Sequence, residues 1–206
     1  MKLKLFTFAV VYWILIIFVA HFFPPPGYDW TQNTISDLAS QGHRYKWIMQ
    51  LGLSGFGGLV VLAVIRTMIH ARRMIPHSLP IALYGFTIFL SGIYCTTPIN
   101  PSLSYSLNEA KLHSLFATVA GISLSLAIFW RIQTSKNRRE LVAHILFFTA
   151  VIGFSALFGL AENQYVDVGM GIVQRLLYIS GFVWLVYQER LSSMDEAYAK
   201  QVIFNP

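Results

Sequence analysis

Apolar residues in this chain come in continuous blocks instead of alternating singly with polar ones, and six blocks are long: residues 5–23, 47–65, 79–95, 113–130, 141–160 and 169–187. A bilayer core about 30 Å thick needs about 20 apolar residues at about 1.5 Å of rise each. The blocks approach or meet that length and predict six transmembrane helices. Strands of a membrane barrel would alternate with a period of two, so the expected fold is an all-α, polytopic six-helix bundle. The loops between blocks are short and leave no room for a second, soluble domain. Residues 1–188 are read as the transmembrane domain and residues 189–206, mixed in charge, as a cytoplasmic tail.

The first block follows Lys2 and Lys4, as a signal peptide would, but it is long for one. It runs into Pro24, Pro25 and Pro26 with no small-residue cleavage site, and reads as a retained helix whose exit the prolines hold extended.

Composition agrees with the block pattern. Hydrophobic residues make up 55% of the chain, charged residues only 12%, and the mean hydropathy is +0.56, the balance of a protein solvated by lipid. The charges then orient it. Lys2, Lys4, Arg66, Arg72, Arg73, Arg131, Lys136, Arg138, Arg139, Arg190 and Lys200 are eleven of the fifteen basic residues, and all fall at one set of alternate helix ends. Short cytoplasmic loops carry the positive excess, so both termini are expected in the cytoplasm. The same rule explains a pI near 9.6 without nucleic acid, because no aromatic-interleaved basic patch exists. A single cysteine, Cys95, excludes an internal disulfide and a cysteine-based metal cage.

Residues with chemical potential gather at the opposite, outer ends. The loop from Pro24 to Lys46 carries Tyr28, Asp29, Trp30, Asn33, Thr34, Ser36, Asp37, His43 and Arg44, and a long loop in a compact bundle calls for a function. Thr34 and Asp37, three apart and followed by Leu38, have the form of a helix capping box. As a cap, Asp37 would stabilise a short helix by about 0.5–2 kcal/mol and do no chemistry.

Arg175 is harder to explain by structure alone, because it lies about two turns inside the sixth block, where a cation needs a partner, a wet cavity or a route to the headgroups. Asp167, Gly171, Arg175 and Tyr178 stand at spacings of four, four and three, the pattern of one helical face, and Gly171 leaves room above the guanidinium for a neighbouring chain or a ligand. Asp37, Glu162 and Asp167 are the candidate counter-charges.

His43 and His113 belong to the same outer side. Together with Asp37, Glu162 and Arg175 they predict one outward pocket, in which His113 could act as general base, Asp37 could orient it and Arg175 could meet a phosphate or carboxylate. Two histidines and a carboxylate would also suit zinc, although no HExxH sequence or helical His pair supports a metal site. Gly52, Gly55, Gly57 and Gly58 lie within an apolar block and read as a close helix-packing face, with Gly52, Gly55 and Gly58 open to a second copy of the chain.

The string Asn33-Thr34-Ile35-Ser36-Asp37-Leu38 after a first helix, His113 opening the fourth block, and Gly171 with Gln174-Arg175 in the last resemble the domain of unknown function 998 family (DUF 998) over about residues 5–187. That resemblance implies a small prokaryotic protein of the cell inner membrane with six helices, no assigned reaction, and distant kinship to lipid-associated membrane proteins of the Frag1 and DRAM type. Family members commonly carry glycine where this chain has Ala39.

Two functions from different classes follow. The first is lipid binding without catalysis, with Asn33, Ser36, His43, Glu162, Asp167 and Arg175 forming a headgroup pocket for which no cofactor is indicated. The second is a hydrolase or transferase acting on a lipid or isoprenoid of the outer leaflet through His113 and Asp37. A small-molecule transporter ranks third, since no helix repeat is evident and few polar residues lie inside the blocks.

Overall fold

A computed structural model describes residues 4–72 and 76–204, with side chains as far as Leu191. Lys2, Arg73, the Lys200 side chain and the last two tail residues lie outside that description. Six helices follow in order: α1 (Leu5–Ala20), α2 (Lys46–Ala71), α3 (Leu79–Ile93), α4 (Leu107–Gln133), α5 (Arg138–Glu162) and α6 (Met170–Phe204). Short 3-10 helices occur at Ser36–Ala39 and Pro76–Ser78. Among the described residues, β structure is confined to one isolated bridge between Ser40 and Thr96.

Local chemistry sets the ends. Ser106 accepts the Glu109 amide at 3.3 Å, a capping pair that starts α4 nearly two turns before the apolar block begins. Asn137 and Glu140 cap α5 reciprocally, with Asn137 accepting the Glu140 amide at 3.0 Å and donating to its carboxylate at 2.7 Å. α1 has no cap of its own. Glu189 of α6 takes that role, accepting the amides of Phe6 and Thr7 at 3.0 Å each and the Thr7 hydroxyl at 2.6 Å.

Four helices, α2, α4, α5 and the Met170–Leu191 part of α6, are long and apolar enough to cross a bilayer, and the chain is a multi-pass membrane protein. α1 and α3 are shorter, at 16 and 15 residues. α1 stops ahead of the three prolines, and Tyr94 turns extended (φ −97°, ψ 140°) to end α3. Phe18, Ile69 and Leu146, each exposed by more than 60%, belong to an apolar outer surface of the kind a bilayer core covers.

Each helix touches its neighbours in sequence, and α6 returns to α1, which closes the ring. Trp13 fills the centre, with its ring centroid 5.1 Å from that of Phe56, 5.5 Å from Tyr178 and 6.0 Å from Phe182. α2 is flanked closely: a side chain at Gly52 or Gly55 would strike Ile16 or Tyr12 of α1, and one at Gly57 would strike the α3 backbone. Gly52 and Gly55 therefore serve contacts within the chain. α5 is the loosest member, burying only His144 and Val151.

Candidate functional site

At one end of the bundle the connections after α1 and after α3 fold over the helices as a cap. Pro24–Pro26 prevent α1 from continuing, and the chain then turns repeatedly before entering the 3-10 helix at Ser36–Ala39. The Thr34–Asp37 box forms there: the Thr34 amide donates to the Asp37 carboxylate at 2.8 Å, and the Asp37 amide donates to the Thr34 hydroxyl at 3.2 Å. Ser36 shares a hydroxyl contact with Thr34 at 2.9 Å. The cap is stitched across its two connecting segments by Gln41, whose side chain donates to the Ser106 carbonyl at 3.0 Å and accepts the Ser106 amide at 2.8 Å, while the Gln41 amide donates to the Thr96 carbonyl.

α6 anchors this cap through adjacent residues. Gln174 accepts the Ile35 amide at 2.6 Å. Arg175 donates to the carbonyls of Trp30 (2.7 Å), Asn33 (3.2 Å) and Gly171 (2.8 Å), to the Tyr28 hydroxyl (2.7 Å) and to His21 Nε2 (3.2 Å). His21 Nδ1 donates to the Ile17 carbonyl at 2.7 Å, so Nε2 is left as the acceptor. The guanidinium also lies 5.8 Å from the Trp30 ring centroid, within cation–π range. Among the described residues, none of its hydrogen-bond partners is a carboxylate. Asp37, Glu162 and Asp167 were the expected counter-charges, and main-chain carbonyls occupy the place instead. The space above Gly171 is filled by the chain itself, since a Cβ there would collide with the Asn33 and Trp30 carbonyls.

Beneath the cap, between α3, α4, α5 and α6, lies a cavity of about 770 Å³. Its capped end presents Thr34, Ser36, Asp37, Thr96, His113 and Gln174, and Glu162 lies at the end of α5. Farther down the walls turn apolar, with Ile88, Leu124, Phe129, Phe148, Val151 and Leu177 among them. Gly121 lines it too, and a Cβ at that position would meet nothing within 4 Å. Among the described residues, no lysine or arginine lines the cavity.

His113 is buried and its tautomer is fixed. Nδ1 lies 2.8 Å from the Ser91 carbonyl and 3.0 Å from the Tyr94 carbonyl; both can only accept, so Nδ1 carries the proton and Nε2 keeps a lone pair. Asp37 and His113 are close enough to interact electrostatically. Burial pushes the Asp37 carboxyl above the ordinary carboxylate range, opposed by the Thr34 amide and hydroxyl, His113 and the Thr96 hydroxyl.

The expected site residues thus divide. Asp37, Ser36, His113 and Glu162 share the cavity. Arg175 and the Asn33 carbonyl hold the cap, and the Asn33 side chain closes a turn by accepting the Asp29 amide at 2.8 Å. His43 stands apart, donating Nε2 to the Phe23 carbonyl at 3.0 Å; burial lowers the basicity of its imidazole and that carbonyl opposes the shift. Asp167 precedes α6, which begins at Met170, so the helical spacing linking it to Arg175 does not reach it. Among the described residues, no group of three or more His, Cys, Asp or Glu is placed to hold a metal ion.

Sequence reasoning missed His21 and Tyr28 as partners of Arg175, and Thr96 and Tyr84 as cavity residues. Their signal was faint: His21 lies near the end of an apolar block, just before the prolines, and Tyr84 sits within one.

The family profile described as "Protein of unknown function (DUF998)" matches residues 8–187, and the chain belongs to that family. No curated protein and no solved structure matches it.

Proposed function

We propose that this DUF998 protein spans the cell inner membrane six times with both termini in the cytoplasm, and that it holds one lipid in the cavity between α3 and α6, head towards the cap and tail along α4 and α5. The orientation is supported by the basic residues towards the end of the bundle opposite the cap, Arg66, Arg72, Arg131 and Arg138 among them. The cap then faces the outer leaflet.

The single observation that carries lipid binding is the graded lining of the cavity: hydroxyls, a carboxyl and an imidazole at one end, and mainly aliphatic and aromatic walls along the rest, where the Ser125 hydroxyl is turned to the Gly121 carbonyl. Its volume falls in the range of sites that bury a drug-sized molecule. α5 supplies a thinly packed wall through which a chain could enter from the bilayer. The charge of the lining also selects the head. Arg175 is committed to the cap, while Asp37 and Glu162 line the cavity with no lysine or arginine in that lining among the described residues. A neutral or amine-bearing head fits; a doubly anionic phosphate does not.

Native mass spectrometry of the protein purified in mild detergent tests this reading. The expected result is about one bound lipid per chain, as one cavity allows, with a neutral or amine-bearing head, and loss of most of it in Gly121→Leu at an unchanged melting temperature. Protein that carries no lipid, or a Gly121→Leu variant with full occupancy, overturns the reading.

One observation favours a second reading, hydrolysis or group transfer on that lipid: His113 keeps an Nε2 lone pair in a cavity that also holds Asp37. The same spectra decide it. Catalysis requires lipid fragments that vanish in His113→Ala while intact lipid persists, and spectra without fragments reject it.

A further inference from the structure

Two phenols in the cavity wall take no part in lipid-head recognition at the cap. Tyr84 of α3 and Tyr178 of α6 both line the cavity. Tyr84 is 97% buried by its 3% relative exposure, and the two phenols are close enough to interact electrostatically. Among the described residues, neither hydroxyl has a hydrogen-bond partner. Their surroundings are apolar: Trp13, Phe56 and Phe182 pack against the Tyr178 or Tyr84 ring. A phenol buried in such a place normally finds an acceptor, because leaving the hydroxyl unpaired forfeits its hydration.

Depth separates the pair from the polar head region. Tyr84 lies seven residues along α3 from Ser91, whose carbonyl holds His113, which is about 10 Å of helix rise. Tyr178 lies four residues, about 6 Å, beyond Gln174 on α6. Two polar levels therefore divide one cavity, an upper level at Asp37 and His113 and a lower level of two phenol donors within the apolar part.

Resting on the lipid-binding reading above, we infer that the bound lipid is an acyl lipid whose ester or amide carbonyl accepts hydrogen bonds from Tyr84 and Tyr178, below a head placed at Asp37 and His113. A polyisoprenoid offers no acceptor at that depth, and an ether-linked chain offers a weaker one. The linkage next to the head of an acyl lipid supplies a carbonyl in the region where its hydrocarbon begins, which is the position the lower level marks.

The test loads the delipidated full chain with either of two probes, a diester phosphatidylethanolamine or its dialkyl ether analogue of equal chain length, and reads retention by native mass spectrometry. Two lost hydrogen bonds correspond to about a tenfold preference of the unsubstituted chain for the diester. Tyr84→Phe with Tyr178→Phe removes only the two hydroxyls and should equalise the probes by weakening the diester alone. Tyr178→Phe by itself, which keeps the Tyr84 hydroxyl, should give an intermediate preference and covers the case in which the double variant does not fold. Equal retention of both probes by the unsubstituted chain overturns the carbonyl assignment and leaves lipid binding standing. A preference that survives in the phenylalanine variants overturns it as well, by showing that other groups or trapped water read the linkage. Retention of neither probe overturns both this inference and the lipid-binding reading beneath it.

Discussion

Two polar clusters meet near the capped end of α6, and they are built in opposite ways. Around Arg175 every contact is supplied by the chain: three carbonyls, a phenol and an imidazole nitrogen receive the guanidinium. In the cavity next to it, the His113 Nε2 atom and the phenols of Tyr84 and Tyr178 have no such partners among the described residues. A charge inside a membrane protein attracts attention as a functional group, yet here the charged cluster is the saturated one. Satisfied donors hold structure; unsatisfied donors and acceptors facing a cavity are available to a ligand.

The sharpest way to break this comparison is to remove the charge. Arg175→Leu leaves the Trp30 and Asn33 carbonyls without their donor and frees the cap, and the expected loss is about 3 kcal/mol, since hydrogen bonds to charged groups count for about 1.5–3 kcal/mol each and do not add. For a chain of this length that corresponds to a melting temperature lower by roughly 6–12 °C, with faster proteolysis inside residues 24–45. An unchanged melting temperature would return Arg175 to the list of ligand-binding residues.

A smaller effect is expected from Gly171→Ala. The added methyl group collides with the Asn33 and Trp30 carbonyls and with Arg175, and forced overpacking costs about 1–3 kcal/mol. Thermal unfolding in detergent reads it. If alanine is accommodated at no cost, the cap is not seated on α6 as tightly as these contacts describe.

The smallest effect concerns Asp37. Its folded carboxyl titrates above the ordinary range, so the folded chain binds that proton more tightly than the unfolded chain does. The resulting stability is fully present below the unfolded value, about pH 4, and is lost as pH rises through the raised folded value. Asp37→Asn should flatten that part of the stability curve while still accepting the Thr34 amide. Identical pH slopes in the two proteins would remove Asp37 from the buried level of the cavity.

Much of this architecture was legible in the sequence, because block length alone separates membrane helices from other elements. The Thr34–Asp37 box was legible for the same local reason, with both partners three residues apart. Arg175 shows where legibility stopped. Its position within an apolar block demanded a partner, but two of the partners are main-chain carbonyls of residues more than 140 positions away, and no residue type announces a carbonyl. The link to Asp167 failed because α6 begins three residues later, so a spacing rule was extended beyond its helix. Tyr84 reads in sequence as a core aromatic, and only the fold places it in the wall of a cavity.

Glu189 gives the bundle a temporal order. The chain leaves the ribosome from its N-terminal end, so α1 enters the membrane with the amides of Phe6 and Thr7 still lacking the carboxylate that serves them in the finished fold. That acceptor is made only after almost all of the Met170–Leu191 part of α6 has been synthesised. The first helix is thus completed by the last, and a truncated or misinserted product presents an open helix end that a full-length, correctly assembled chain does not.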